Sequence, residues 1–307
     1  MILVIGATGF VGRHLTLGLL EQDLPVRALV RDRHRAQTLL PAAVELVAGD
    51  MRDPAALDAA FRGVRAVYLA VQTITRAQGR GAGDFAAAEL RGLAEVVAAC
   101  RRARVRRLIV VGLIGARADA ANAWVRARAQ GEALLFRSEL DVTVVRPGLI
   151  VGRGGVGFEG LLAAARRRVA VVRGAGRQLW RPIGIDDLVA YLVRVLDERA
   201  SYGRAFDVGT DELVPYDALV DTTADLLGRS HPLKLHLPLR ALRPLAGLLE
   251  RVRGLPPGGL RAGLDHLGDD LVGDPWPIRQ LVHLPLIPYR EAAERATRRG
   301  HRRGSES

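Results

Sequence analysis

Short apolar runs alternate with longer segments of helical periodicity through the first half of the chain. The apolar runs predict strands at Ile2–Ile5, Pro25–Val30, Val44–Ala48, Val64–Val71, Arg107–Val111 and Val142–Arg146. The segments between them predict helices at Gly9–Gln22, Arg33–Leu40, Pro54–Phe61, Asp84–Arg102 and Asn122–Ser138. Strands that are apolar at almost every position are buried on both faces, as in a parallel sheet covered by helices. Repeated strand–helix units therefore predict an α/β fold with a doubly wound parallel sheet.

The pattern loosens after Gly152, where glycine-rich turns separate shorter elements. Strand-like pieces are predicted at Ala170–Val172, Arg181–Ile185 and Ala205–Val208, and helices at Asp186–Glu198, with Asp186 as N-cap, at Tyr216–Leu227 and, weakly, at Leu239–Arg253. We interpret residues 1–150 as the sheet domain. Residues 151–297 form a small mixed C-terminal region, for a substrate or a partner, interleaved with the last sheet strands. Residues 298–307 are expected to be a disordered basic tail.

The charge balance is strongly basic, with 45 Lys+Arg against 33 Asp+Glu and a formal net charge of +12. Almost all of the excess is arginine, since Lys234 is the single lysine. Such a charge raises the question of a nucleic acid or an anionic membrane as partner. No aromatic residues are interleaved in the basic runs at Arg101–Arg107 and Arg166–Arg168, so a base-stacking surface is not supported. Arginine spread over a solvated surface is the simpler interpretation, and we expect no nucleic-acid partner.

Cysteine and hydropathy narrow the class of protein further. A lone Cys100 excludes an intrachain disulfide, and the histidines lack the spacing of a zinc site, so no metal is expected. No stretch approaches the ~18 apolar residues of a membrane span, and the N-terminus lacks the basic region of a signal peptide. We therefore expect a soluble cytoplasmic protein without a transmembrane segment.

A glycine-rich turn joins the first predicted strand to the first predicted helix. Its glycines are Gly6, Gly9 and Gly12, in the spacing GxxGxxG. Glycines at such a turn let backbone amides approach a pyrophosphate at the positive end of a helix, and the third lets the helix pack closely on the sheet. A glycine triplet alone is weak evidence, but its position between a strand and a helix of a βαβ unit predicts a dinucleotide site.

The turn and four further motifs together resemble the short-chain dehydrogenase/reductase superfamily. The other motifs are Leu29–Asp32, Gly49–Met51, Val145–Gly148 and Ile183–Asp187, and the resemblance covers roughly residues 1–230. It is nearest to the atypical branches, which include regulators of nitrogen metabolism and accessory subunits of NADH dehydrogenase. The resemblance implies a Rossmann fold that binds NAD or NADP.

The end of the second strand usually selects between the two cofactors. An acidic residue there binds the ribose hydroxyls of NAD, whereas an arginine pairs with the 2′-phosphate of NADP. Both Arg31 and Asp32 stand at this point. The resemblance favours NADP through Arg31, with NAD as the alternative. It also implies that Asp50 binds the adenine amino group and that Met51 packs on the ring, although Asp50 is equally suited to a turn before a helix.

Superfamily reductases carry a catalytic tyrosine with a lysine four residues later, and this chain departs from that pattern. Alignment on Gln130–Leu135 places Trp124 at the tyrosine position and Arg128 at the lysine position. The fifth strand also ends without the usual serine. An indole cannot supply a proton near neutral pH, and a guanidinium stays protonated. The usual alcohol–ketone reaction is therefore not expected, and Trp124 is equally well explained as a packing residue.

The sequence leads to a defined set of residues and two hypotheses. The expected cofactor-binding residues are Gly6, Thr8, Gly9, Phe10, Val11, Gly12, Arg31, Asp50, Met51, Ala70, Arg128 and Pro147. Trp124 and Arg128 are positional candidates for catalysis. The first hypothesis is an atypical reductase that transfers hydride to a small quinone-like or conjugated electrophile. The second is a catalytically silent dinucleotide-binding sensor or assembly protein, which meets a protein partner through its C-terminal region.

Overall fold

A computed structural model describes residues 1–71, 82–120, 122–238 and 269–304, with four single residues between 239 and 268. The strands are β1 (Ile2–Ile5), β2 (Val26–Val30), β3 (Glu45–Ala48), β4 (Ala66–Leu69), β5 (Arg107–Val111), β6 (Asp141–Pro147), β7 (Leu149–Val151), β8 (Val169–Arg173), β9 (Leu179–Trp180), β10 (Pro182–Gly184), β11 (Arg204–Val208), β12 (Val214–Pro215) and β13 (Leu233–Leu237). The helices are α1 (Phe10–Leu20), α2 (Arg33–Leu39), α3 (Pro54–Ala60), α4 (Ala82–Arg102), α5 (Ala123–Phe136), α6 (Val156–Ala165), α7 (Ile185–Arg194), α8 (Tyr216–Leu226), α9 (Trp276–Arg279) and α10 (Tyr289–Gly304).

Seven parallel strands form the central sheet, in the order β11-β6-β5-β4-β1-β2-β3. Successive strands run outwards from β1 to β3 on one side and from β4 to β11 on the other. The direction of progression reverses between β1 and β4, which makes that gap the switch point of the sheet. Ligands of doubly wound sheets bind outside the carboxyl ends of the strands at such a point. The predicted doubly wound Rossmann sheet is therefore confirmed.

Alternate residues of the central strands enter two separate cores. Ile2 and Val4 face the layer that contains α1 and α7, whereas Leu3 and Ile5 face the layer of α3 and α4. All four side chains are at most 3% exposed. A strand buried on both faces needs apolar side chains at every position, which explains why the sequence shows an unbroken run there.

The C-terminal region is built around a third core, with α6, α8 and α10 packed together beside three two-stranded sheets. The sheets pair β7 with β10, β9 with β12, and β8 with β13. Strand β11 and helix α7 instead belong to the central sheet and its covering layer, because β11 pairs with β6 and α7 packs on α1. The chain thus leaves the sheet domain after β6 and returns to it.

Two predictions for this half differ from the structure. Gly184, not Asp186, is the N-cap of α7, because β10 runs directly into the helix and Asp186 falls in its first turn. Helix α10 continues to Gly304, where a disordered tail was expected from Arg298. Glu–Arg pairs four residues apart, including Glu294 with Arg298, stabilise that helix.

The helix predicted at Leu239–Arg253 falls largely outside the described residues, as do residues 305–307. Within the described part of the chain, no helix is long and apolar enough to cross a membrane.

Arg107, at the start of β5, ties the amino-terminal edge of the sheet to the end of α7. Its guanidinium donates to the carbonyl oxygens of Val195 and Leu196, the latter at 2.8 Å, and to that of Asp141 at 2.7 Å. It also donates to the hydroxyl of Thr143 at 2.8 Å. The residue is 6% exposed. One buried side chain therefore satisfies several backbone acceptors from two parts of the chain, the end of α7 and the start of β6.

We predict that Arg107→Leu lowers the free energy of unfolding by about 3 kcal/mol, because buried carbonyl groups lose their donors. Urea denaturation followed by circular dichroism measures the change. The neighbouring Arg106 provides the control, since its side chain is 67% exposed and pairs with Asp141 at the surface. Arg106→Leu is expected to leave the urea midpoint almost unchanged. Equal losses in the two variants would contradict this role of Arg107.

Candidate functional site

The glycine turn brings backbone against backbone at the carboxyl end of β1. Gly6 has a φ of +96°, a left-handed value that glycine adopts without strain. A Cβ on Gly12 would lie 2.1 Å from the carbonyl oxygen of Gly6, and one on Gly6 would lie 2.6 Å from that of Ala70. The Gly9 amide donates to the same Gly6 oxygen at 2.9 Å. Glycine is therefore required at both ends of this turn.

The N-terminus of α1 opens from this turn. Gly9 is the N-cap and supplies no side-chain cap to the helix. The first amides, at Phe10 and Val11, follow Thr8 and Gly9 directly, where the helix dipole favours an anion. The Phe10 ring reaches the loop after β7, since a Cβ on Gly155 would lie 2.7 Å from it. The helix terminus thus combines uncapped amides with a neighbouring glycine loop.

The ends of β2 and β3 carry the residues expected to choose the cofactor. Asp32 is the N-cap of α2, and its carboxylate accepts from the Arg35 amide at 2.9 Å. Arg31 is exposed and makes no hydrogen bond or ion pair with the described residues. Asp50 accepts from the backbone and the side chain of Arg52, and these hydrogen bonds lower the pKa of Asp50. Of these residues, Arg31 thus has no hydrogen-bond or ion-pair partner within the described part of the chain, whereas Asp32 and Asp50 accept hydrogen bonds from neighbouring residues.

Met51 is partly buried against the helix that follows β4. A Cβ on Gly92 of α4 would lie 2.2 Å from the Met51 methyl group, so the thioether lies directly on that helix. Asp50 occupies a turn before α3, whose N-cap is Asp53. The interpretation of Asp50 as a turn residue is therefore correct, and its proposed role toward adenine remains a prediction.

Helix α5 places Arg128 against the carboxyl end of β4. Arg128 donates to the carbonyl oxygen of Val71 at 3.0 Å and pairs with Glu89 of α4 at 2.8 Å. The two charged side chains are 9% and 8% exposed. The guanidinium carbon lies 5.9 Å from the centre of the Trp124 ring, whose other neighbours are Leu113, Ala120 and Val125. The position expected for lysine therefore holds a buried arginine that is paired with Glu89 and lies beside the ring of Trp124.

A second buried ion pair lies one turn further along α5. Arg146 of β6 donates to both carboxylate oxygens of Glu132, whose side chain is 7% exposed. Burial raises the pKa of Glu132, and the hydrogen bonds from Arg146 oppose that rise. Asp207, opposite Arg146 on β11, also has a pKa raised by burial. Pro147 is buried at the end of β6, and its carbonyl oxygen accepts from the Ile114 amide at 3.2 Å.

All five tyrosines lie within the described part of the chain, and none of them lies on α5 with Arg128. Tyr68 is buried in β4 and donates to the carbonyl oxygen of Leu192 at 2.8 Å, while the Tyr289 hydroxyl lies 2.6 Å from that of Thr223. The other three are Tyr191 within α7, Tyr202 beneath Arg107, and Tyr216 against Trp180. None of them replaces the missing acid.

The predicted site residues thus stand on the carboxyl ends of β1 to β6 and the helices that follow them. The sequence missed the acidic partners Glu89 and Glu132. A weak signal was present, because an acid among the apolar residues of α4 and α5 has to find a base when it is buried. The pairing itself depends on the packing of α5 against α4 and β6, which no local pattern reveals.

The family of this chain follows from its similarity to known proteins. A family described as NAD(P)H-binding matches residues 6–164. The chain belongs to this NAD(P)H-binding family. The atypical short-chain reductase resemblance and the expected dinucleotide cofactor are thereby confirmed, and the protein is NAD(P)H-binding and reductase-like.

Individual relatives agree with this assignment. The NAD(P)H-binding protein is 27% identical over 213 residues to an NAD(P)H azoreductase of Xenophilus azovorans, covering 68% of this chain and 67% of the azoreductase. It is 31% identical over 231 residues to a (4-alkanoyl-5-oxo-2,5-dihydrofuran-3-yl)methyl phosphate reductase of Streptomyces griseus, covering 75% and 74%. The fold matches that of an NADPH-dependent quinone oxidoreductase of Escherichia coli, complexed with NADPH, with a TM-score of 0.76, 21% identity and coverage of 96% and 99%.

The geometry of the turn fits such a cofactor in this NAD(P)H-binding protein. Gly6 and Gly12 leave the space that a Cβ would fill, and the start of α1 lacks a side-chain cap. We expect the amides around Thr8 to Val11 to hold the pyrophosphate, with Ala70 and Pro147 along the path toward the nicotinamide end. These individual contacts are predictions.

We predict that Gly12→Ala raises the Kd for NADPH about 100-fold, which corresponds to about 2.7 kcal/mol. The added methyl group has to displace either the Gly6 carbonyl or the start of α1. Fluorescence titration with NADPH measures binding, and thermal unfolding shows whether the variant is folded. Gly160→Ala is the matched control, because a Cβ at that helical position meets nothing within 4 Å. Unchanged binding in a folded Gly12→Ala variant would contradict the assignment of the turn.

Proposed function

We propose that this protein is an NADPH-dependent reductase that acts on a small, conjugated, quinone-like electrophile and uses no protein acid. The observation that carries the proposal is the pairing of Arg128 with Glu89 at the position where the superfamily has its catalytic lysine, beside Trp124 at the tyrosine position. Arginine at the lysine position can still stabilise charge, and tryptophan at the tyrosine position can still pack, but neither side chain can transfer a proton near neutral pH. The reaction therefore has to be one in which the substrate itself accepts the electrons.

The chemistry of conjugated electrophiles meets this requirement. Bound NADPH supplies the hydride. A quinone or enone takes the hydride at carbon, and its π electrons move to the oxygen at the far end of the conjugated system. Water protonates that oxygen near neutral pH, so no protein acid is needed. The names of the relatives, an azoreductase, a dihydrofuranone phosphate reductase and a quinone oxidoreductase, all describe conjugated substrates and support this class.

We assign Trp124 and Arg128 distinct roles in this reaction. Arg128 is fixed by Glu89 and by the Val71 carbonyl at the edge of the sheet, so its charge is positioned before any ligand arrives. A fixed positive charge favours negative charge that develops on a substrate oxygen. The Trp124 ring offers a flat apolar surface suited to a planar conjugated system.

Preference for NADP over NAD follows from the charges at the end of β2. Arg31 is exposed and has no hydrogen bond within the described part of the chain, so it is available to a 2′-phosphate. Asp32, which could bind ribose hydroxyls, instead caps α2. Hydrogen bonds from Arg52 and, more weakly, the charge of Arg31 lower the pKa of Asp50, so Asp50 lies near Arg31 but is already paired with Arg52.

We predict that Arg31→Ala raises the Kd for NADPH about 10- to 100-fold, the usual loss for a hydrogen-bonded charge pair, and changes the Kd for NADH less than about threefold. Titration of each dinucleotide, followed by tryptophan fluorescence, gives both values. Arg62→Ala serves as the control, since Arg62 is exposed at the opposite edge of the sheet. If Arg31→Ala weakened both dinucleotides equally, the NADP preference would not rest on Arg31.

Turnover is tested with a substrate panel that separates the two hypotheses. We predict NADPH oxidation, measured by absorbance, with at least one quinone, enone or azo compound, and rates about 100-fold lower with simple ketones, because general acid catalysis contributes that much or more. Efficient reduction of simple ketones would show that the protein has an acid that we have not identified. Tight NADPH binding without turnover on any compound would favour the sensor or assembly protein instead.

A further inference from the structure

In the two-stranded sheet of β8 and β13, which we call the ribbon, β13 turns its polar side chains toward the protein, whereas β8 is apolar on both faces and buries Ala170 and Val172 on the inner one. The strands are parallel and pair Val169 with Leu233 and Val171 with Leu235. On the inner face, Lys234 reaches Asp221 of α8 at 2.7 Å. His236, also on the inner face, lies 2.8 Å from Asp217 of the same helix. The polar residues of β13 therefore point toward the protein.

The outer face of the ribbon carries exposed apolar side chains from both strands. Val169 and Val171 are 46% and 47% exposed, and Leu233 and Leu235 are 71% and 49% exposed. The registered pairs put these four side chains in one contiguous block. A half-buried strand normally turns its apolar side inward, and contiguous exposed apolar patches mark interaction surfaces. Single exposed apolar residues need no explanation, but this arrangement does.

The described chain segments that form and flank the ribbon carry only basic charged residues. The strand and turn from 166 to 177 contain five arginines and no acidic residue, and the segment from 229 to 238 likewise has no acidic residue. Arg166, Arg167 and Arg168 are exposed at the end of α6, directly before β8. Arg229 lies beside them, because it donates to the carbonyl oxygen of Arg166 at 3.0 Å. Within the described part of the chain, the acids that contact the ribbon are Asp217 and Asp221 of α8, on its inner side.

We propose that the outer face of the ribbon docks on an anionic lipid surface, with its four aliphatic side chains among the acyl chains and its arginines on the headgroups. Aliphatic side chains with a basic border are the combination that binds such membranes. A nucleic acid would leave the valines and leucines without an apolar partner, and the ribbon offers no aromatic side chain for base stacking.

The proposal does not depend on the reductase activity. The ribbon shares no residue with the glycine turn or with the Arg128 pair, and it contacts α6 through β8 and α8 through Lys234 and His236. A surface-bound reductase would meet apolar quinone-like substrates where they dissolve. Failure of one proposal would therefore leave the other in place.

Vesicle co-sedimentation of the full chain tests the docking surface. We expect at least tenfold stronger partition to vesicles of phosphatidylcholine with about 30% phosphatidylglycerol than to phosphatidylcholine alone, and a loss of that difference in high salt.

Val171→Gln with Leu235→Gln removes the apolar contacts, and Arg167→Gln with Arg168→Gln removes headgroup contacts worth about fivefold each. All four positions are exposed, so these variants should fold. Leu17→Gln and Arg199→Gln, exposed elsewhere, are the matched controls and should bind normally.

Three results would overturn the proposal. The first is an absence of binding to the anionic vesicles. The second is binding that the ribbon variants retain in full. The third is a dimer, seen by light scattering, that Val171→Gln with Leu235→Gln converts to monomer while vesicle binding is absent. That outcome would assign the face to a second copy of this chain.

Discussion

The contact between the Gly6 carbonyl and the Cα of Gly12 determines how the nucleotide site is built. Helix α1 starts close enough to β1 and β4 to offer its first amides to a ligand only because neither residue has a side chain. The same placement sets α1 against α7, and α7 in turn leads the chain back toward β11. A backbone contact at residues 6 to 12 therefore constrains both the cofactor site and the return of the chain from its C-terminal region.

At the carboxyl edge, ion pairs stand in place of the superfamily's proton-transfer groups. Burying a charge costs several kcal/mol unless a partner compensates it, so Arg128 with Glu89 and Arg146 with Glu132 each have to stay together. Paired in this way, the arginines hold fixed positions and stay charged. Such a site is suited to stabilising charge and unsuited to exchanging protons. In the function we propose, the limited chemistry of these side chains restricts the substrate to one with its own electron sink.

Most of the central sheet could be predicted from the sequence because strands such as β1, β4 and β5 are apolar runs bounded by turn residues. The same holds for the glycine turn, whose function depends on consecutive residues. The ion pairs of α5 could not be predicted, because Arg128 meets Glu89 across two helices and Arg146 meets Glu132 across a strand and a helix. Strand β13 was missed although Leu233, Leu235 and Leu237 alternate with polar residues. The alternation itself predicts a strand. It does not show which face of β13 is buried, because here the polar face points inward.

The arginine excess divides into two physical classes. Arg27, Arg107 and Arg181 are each at most 9% exposed and donate mainly to backbone carbonyl oxygens. Arg27 also pairs with Glu45 at 2.9 Å. The acceptors of Arg107 and Arg181 among the described residues are dipoles and not acids, so each of these two adds a positive charge without a matching negative one. Part of the net charge of +12 therefore comes from buried arginines that donate hydrogen bonds to backbone carbonyl groups. Exposed arginines without an ion pair to a described residue can instead meet an external anion, as we propose for Arg31 and for Arg166 to Arg168 beside the ribbon.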